Sequence, residues 1–352
     1  MNAWTLVPPI SFALFIGAFA VGVSPAMAAV CSAGLIGAVL VAVHHAEVVA
    51  HRVGEPFGTL ILALAVTVIE ASLVLSMMLA GGEAGSALAR DTIFAAVMII
   101  CNGVVGLCLL VGGIAHREQS FRVAGSGAGL AALIVMASLT LVLPVFTTTT
   151  PGGTYSHSQL AFVAVTSAVL WAIFVFIQTV RHRDYFLPES GSAEDHAAPP
   201  GNREAWLSFA LLLVSLVAVV GLAKALSPSI EGALESLGAP KAVLGIAIAL
   251  LVLLPETVAA VRAARADRFQ TSMNLALGSA LASIGLTIPV VALAAIGLDL
   301  HLVMGLEPRD MVLLAVTFLV SAVTLGTGRT HVMQGAIHLV LFATFLFLSF
   351  VP

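Results

Sequence analysis

The 352 residues are 60% hydrophobic and 9% charged, with a mean hydropathy of +1.11, against ~45–50% apolar and ~25% charged in soluble domains. The 14 Lys and Arg and 18 Asp and Glu residues cannot furnish the surface of a soluble protein this long, and the 31 Gly follow no triplet period, so soluble, disordered and fibrous classes are excluded. A net charge of −4 argues against a nucleic-acid role, and Cys31, Cys101 and Cys108, all inside apolar runs, make neither a disulfide framework nor a metal ribbon.

The chain reads as an all-α polytopic membrane protein. A helix crossing ~30 Å of hydrocarbon needs about 20 mostly apolar residues. That ruler marks eleven spans: 7–23, 28–50, 57–80, 92–114, 123–146, 159–181, 205–226, 241–264, 271–297, 310–327 and 331–351. The runs are continuous rather than alternating, which favours helices over a barrel. The first span has a second reading, because Ala26-Met27-Ala28 resembles a signal-peptidase site; its lack of an early Lys or Arg argues against cleavage. Alternate loops hold Arg52, Arg117, Arg122, Arg181, Arg183, Arg203, Arg262, Arg265, Arg268 and Arg329 against Arg90, Lys224, Lys241 and Arg309. The positive-inside rule puts the first set, and the N-terminus, in the cytoplasm of a bacterial inner membrane, with the C-terminus in the periplasm.

Residues 182–204 are the sizeable hydrophilic stretch, rich in Pro, Ser, Gly and acids, as a cytoplasmic linker is. With 1–27 set aside as an extra helix, 28–181 and 205–352 each hold five spans. Five is odd, so the halves enter the membrane from opposite sides, an inverted repeat of the kind that builds midplane sites in secondary transporters. The second helix of each half carries a central acid: TLILALAVTVIEASLVLSMML (59–79) contains Glu70, and AVLGIAIALLVLLPETVAAVRAA (242–264) contains Glu256. An ionisable group at that depth costs at least ~2.5–3.5 kcal/mol. A protonated packing role for both is the bland alternative. Pro255, beside Glu256, is expected to break or kink its helix. Gly58, Gly81, Gly82, Gly278 and Gly285 are expected to allow close packing or hinging.

The stretches HHAEVVAHRVGEPFGTLILALAVTVIEASLVLSMMLAGG (44–82), LPETVAAVRAARADRFQTSMNLALGSALASIGLTIPVVAL (254–293) and TGRTHVMQGAIHLVLFA (327–343) resemble the bacterial ChaA-type calcium/proton (sodium-potassium/proton) antiporters of the calcium/cation antiporter superfamily. The resemblance implies one extra helix followed by two inverted five-helix repeats. It also implies an ion site between their second and third helices, with Glu70 and Glu256 as the paired acids that bind cation or proton. Asn102, Gly278, Ser279 and Ser283 fall at its neighbouring small and polar positions. Many relatives carry Gly-Asn three residues before each acid; here Val66-Thr67 and Val252-Leu253 stand there.

Two nearby buried carboxylates cannot both stay ionised and unpaired. They are neutralised by two protons, one divalent cation, or one monovalent cation and a proton. A site that changes sides only when neutral is an antiporter. Ca²⁺ prefers ~6–8 oxygens. Thr67, Asn102, Ser279 or Ser283, carbonyls and water therefore have to supplement the two acids. The expectation is export of Ca²⁺, with Na⁺ or K⁺ sharing the site, against H⁺. No cofactor is expected, the partners are lipid and inorganic cations, and homo-oligomers are compatible with this reading.

His44, Glu47 and His51 share a helical face and form a candidate pH- or metal-sensing patch. Glu194, Asp195 and His196, with Asp184, Glu189 and His182, make the linker a second candidate regulatory cluster, although a solvated spacer explains it more simply. His331 and His338 read as packing residues. Rival classes are a passive cation channel and an intramembrane hydrolase. The latter would rest on Ala124-Gly125-Ser126-Gly127, which lacks the leading Gly and an obvious His partner, and no zinc or Walker motif accompanies it.

Overall fold

The computed structural model describes residues 3–54, 57–81, 85–187, 200–236, 240 and 242–351. All eleven expected spans are helices: α1 Ala3–Val21, α2 Pro25–Val53, α3 Phe57–Gly81, α4 Leu88–His116, α5 Val123–Val145, α6 His157–Arg181, α7 Asn202–Ser236, α8 Ala242–Arg265, α9 Phe269–Leu298, α10 Pro308–Gly326 and α11 Val332–Phe350. Among the described residues, ten are long and apolar enough to cross a membrane; in α3 the stretch Leu64–Leu79 is a shorter apolar helix. The protein is therefore a multi-pass membrane protein.

Local chemistry sets the helix ends. Ser24 accepts from Met27 N at 3.3 Å and Pro25 opens α2, while Gly54, at φ 78°, closes it by donating to Ala50 O. Ser156 and Gln159 form a reciprocal capping box on α6, and His331 and Gln334 form one on α11. Helix α8 runs through Pro255 without interruption. The expected break is therefore absent: one proline removes a single backbone donor, which the flanking turns tolerate.

The chain divides into two compact units, each built from both sides of the 182–204 segment: 1–88 with 194–244, and 89–193 with 245–352. In the first unit, α2 packs along α7, and α1 and α3 each pack on both. Ala38, Ala42 and Ala46 recur every fourth residue on α2 and are wholly buried. Small residues let backbones approach where lipid supplies no hydrophobic drive between helices. Gly221 of α7 takes the Phe15 ring of α1, and Ser11 donates to Gly34 O at 3.0 Å.

In the second unit α9 packs against α5 and α6, and α11 packs along α4. Helix α4 is almost wholly buried and carries a π-helical turn at Ile99–Val104. Sequence periodicity gives no sign of this turn. One end of the unit gathers the loops after α4, α8 and α10. Gln119 donates to Ala264 O (2.9 Å) and Asp267 Oδ1 (2.8 Å), Thr330 N donates to Gln119 O, and Phe121 N donates to Gly328 O. The opposite end gathers the α5–α6 and α9–α10 loops with the start of α4: Gly305 N donates to Gly153 O, and Arg90 Nη1 to Gly305 O. Tyr155, in that loop region, donates to Leu139 O at 2.6 Å, and burial pushes its phenol up to about 12.

Candidate functional site

Glu70 lies near the middle of α3 in the first unit and is 2% exposed, with Thr67, one helical turn earlier, at 3%. Val66 on the same turn is buried as well. Its neighbours along the helix, Ile69, Ala71, Leu73 and Val74, are buried too, and a carboxylate at that burial has a large desolvation cost, which a proton, a cation or hydrogen bonds offset.

The other candidates belong to the second unit. Glu256 is half-buried on α8, beside Pro255, with buried Val252 and Leu253 one turn before it. Thr257 turns its hydroxyl back on Leu253 O at 2.7 Å, so this side chain is spent on its own helix. On α9, Ser283 is buried, whereas Gly278 and Ser279 are partly exposed. A methyl group at Gly278 would meet nothing within 4 Å, so this glycine does not pack closely; Gly285 does, with a Cβ there falling 2.4 Å from Trp171 Cβ. Asn102 sits inside the π-helical turn of α4 and is fully buried. Single π turns inside helices recur at functional sites because they turn side chains and carbonyls out of register.

Asn102 does not stand alone. Its Nδ2 donates to Thr317 Oγ1 of α10 at 2.8 Å, and its Oδ1 lies 3.2 Å from His338 Nδ1 of α11. The other ring nitrogen of His338 lies 3.1 Å from Thr324 Oγ1, and Thr317 donates to Met98 Sδ at 3.4 Å. His338, expected to be a packing residue, is thus fully buried with both ring nitrogens hydrogen-bonded. The available signal was an ionisable residue within a span together with Thr317, Ser321 and Thr324, spaced to share one face of a helix. His331 caps a helix.

The candidate regulatory patch is partly absorbed into structure. His44 stacks on Trp4 with ring centroids 4.1 Å apart, and the neighbouring His45 donates from Nε2 to Trp4 O at 3.0 Å, pinning α1 to α2. Glu47 and His51 are exposed. Glu194, Asp195, His196 and Glu189 lie outside the described residues, as does Gly82. Ser126 is buried at the start of α5, and its hydroxyl has no partner among the described residues, which gives the hydrolase alternative no base. Among the described residues no cluster of three His, Cys, Asp or Glu could hold a metal ion.

The family model of the sodium/calcium exchanger proteins matches residues 23–180 and 207–351. A putative ionic transporter, y4hA, of Sinorhizobium fredii is 50% identical over 326 residues, covering 91% of this chain and 88% of its own. The sodium-potassium/proton antiporter ChaA of Escherichia coli is 37% identical over 322 residues, covering 90% of this chain and 87% of its own. Among solved structures, native YfkE superposes with a TM-score of 0.73 at 18% identity over 99% of this chain and all of that one. The H⁺/Ca²⁺ exchanger CAX gives 0.74 at 15% over 97% and 87%. With nearly its whole length matched in sequence and in fold, the chain belongs to the sodium/calcium exchanger family of membrane cation transporters, and it is a transporter rather than an enzyme.

Proposed function

We propose that this protein is a cation/proton antiporter of the bacterial inner membrane that exports Ca²⁺, and Na⁺ or K⁺ at the same site, in exchange for H⁺. The observation that carries the reading is the pair of acids within α3 and α8, Glu70 at 2% exposure and Glu256 half-buried; in this reading the two are the second helices of two inverted five-helix repeats. Glu70 and Glu256 act as shared cation ligands and proton acceptors, with Thr67, Asn102, Ser279 and Ser283 as supplementary oxygens. A site with two carboxylates changes its access from one side to the other readily only when neutralised, by two protons or by cation, and this restriction obliges exchange. ChaA is named a sodium-potassium/proton antiporter, and a relative from Aphanothece halophytica, 24% identical over 273 residues, a Ca²⁺/H⁺ antiporter. Both chemistries are within reach of one site here.

Val66-Thr67 and Val252-Leu253 offer one hydroxyl and no amide. Fewer fixed oxygens penalise Ca²⁺ most, since its dehydration has to be offset by many contacts. A monovalent ion is held with one Glu ionised and the other protonated. Proton-coupled Ca²⁺ uptake into reconstituted vesicles should therefore be inhibited competitively by Na⁺ or K⁺, with monovalent exchange gaining as pH rises and the pair loses protons. Uptake indifferent to both ions at neutral and alkaline pH would establish a calcium-only site.

The N-terminus and the 182–204 linker face the cytoplasm in this reading, and the C-terminus faces the periplasm. Single cysteines introduced at Ser190 and Glu235 in a Cys-free background should label from opposite sides of right-side-out vesicles. Labelling from one side would mean that the span count is wrong.

A further inference from the structure

We propose that His338 is a positioning residue for cation binding, holding the Asn102 carboxamide in the orientation in which it serves as a ligand. The inference rests on the reading of Asn102 as a supplementary oxygen donor of the transport site. The geometry is specific. Helix α11 comes against α4 through two glycines: a Cβ on Gly335 would fall 2.6 Å from Leu110 N, and one on Gly106 would fall 2.9 Å from His338 Cβ. That approach sets the fully buried imidazole beside the π turn that carries Asn102.

The hydrogen-bond polarity of the network follows from its parts. Asn102 Nδ2 donates to Thr317 Oγ1, which turns Oδ1 toward His338; Nδ1 of the ring therefore carries the proton and donates to Oδ1, and the Cys101 backbone is a further hydrogen-bond partner of the ring. Nε2 is left to accept from the Thr324 hydroxyl. The ring is thus neutral with both nitrogens satisfied, and no uncompensated charge is buried. A carbonyl oxygen has two lone pairs. His338 occupies one and fixes the plane of the amide, leaving the second lone pair in a set direction for a cation. Thr317 and Thr324 hold the two ends of the arrangement from one face of α10, and Ser321, buried on that face, has no hydroxyl partner among the described residues. Without the imidazole, the Asn102 amide can rotate or surrender its oxygen to that face, and cation affinity drops while the acids remain.

The test is proton-coupled Ca²⁺ and Na⁺ transport by reconstituted full-length protein carrying His338→Phe, His338→Gln, Asn102→Ala and the double change His338→Phe/Asn102→Ala. Loss of a buried hydrogen bond that orients a ligand should raise the apparent KM for cation about tenfold in His338→Phe, with the maximal rate nearly kept. His338→Gln, whose amide can still donate, should recover most of the affinity. The double variant should be no worse than Asn102→Ala alone, because the two residues act through one amide. A lowered maximal rate with unchanged KM in His338→Phe, or additive losses in the double variant, would show a merely structural role and overturn the proposal. If Asn102→Ala itself leaves KM unchanged, the ligand reading of Asn102 fails first and takes the proposal with it. Should His338→Phe not fold, Thr324→Val, which removes the other anchor of the ring at similar volume, should raise KM in the same way, and an unchanged KM there would be equally fatal.

Discussion

Glu70→Gln and Glu256→Gln should each reduce cation/proton exchange to the background leak of protein-free vesicles, with the purified variants retaining their helix content and elution profile. A neutral isostere keeps the volume of the side chain but removes both its charge and its proton. Truncating one member of a buried charge interaction costs ~2–5 kcal/mol, which alone is roughly 30-fold to several thousand-fold in binding. Here the same group is also the proposed proton carrier, so no residual coupled route survives. The two positions should differ in one respect. Glu70 is buried, at 2% exposure, and removal of its charge should lower thermal stability, because whatever the carboxyl interacts with inside the fold loses its partner. Glu256 is half-buried on a helix that already lacks one backbone donor at Pro255, and its replacement should be close to neutral for stability. Near-normal exchange by either purified variant would remove the paired-acid assignment.

Gly335→Ala should destabilise the protein by ~1–3 kcal/mol, read as a lowered apparent Tm in detergent. The added methyl would fall 2.6 Å from Leu110 N and 2.9 Å from both Gly106 O and Leu110 Cα. All three are backbone atoms, so no side chain can swing aside and α4 and α11 must separate. Gly17→Ala on α1 is the control: nothing lies within 4 Å of a Cβ there, and alanine in a helix gains roughly 0.5–1 kcal/mol over glycine. Equal Tm values for the two variants would mean that the α4–α11 approach is not the tight contact described.

The spans were legible because hydrocarbon thickness imposes a length on apolar runs, and the structure places a helix on every one. Glu70 and Glu256 were legible because charge is scarce inside a span. What escaped detection depends on contacts distant in sequence. The π turn at Ile99–Val104 adds one residue to a helix without changing its composition, and it carries Asn102 between α10 and α11. His338 looked like packing because, in sequence, a single imidazole in an apolar run has no visible partner; Asn102 lies far upstream in the chain. Pro255 does not break its helix, since a single missing backbone donor is tolerated within a long helix.

Each compact unit takes chain from both sides of the central segment, and this arrangement bears on how the protein is made. Helices α1, α2 and α3 enter the bilayer early, yet α7, on which all three pack, begins at Asn202. At ~5–20 residues per second, the ribosome needs on the order of ten seconds to deliver it. During that interval the small-residue stripe of α2 and the sealed face around Glu70 stand against lipid or against the insertion machinery, and an acid in lipid is best tolerated with a proton on it. The first unit therefore closes only when the second half of the chain has begun to emerge.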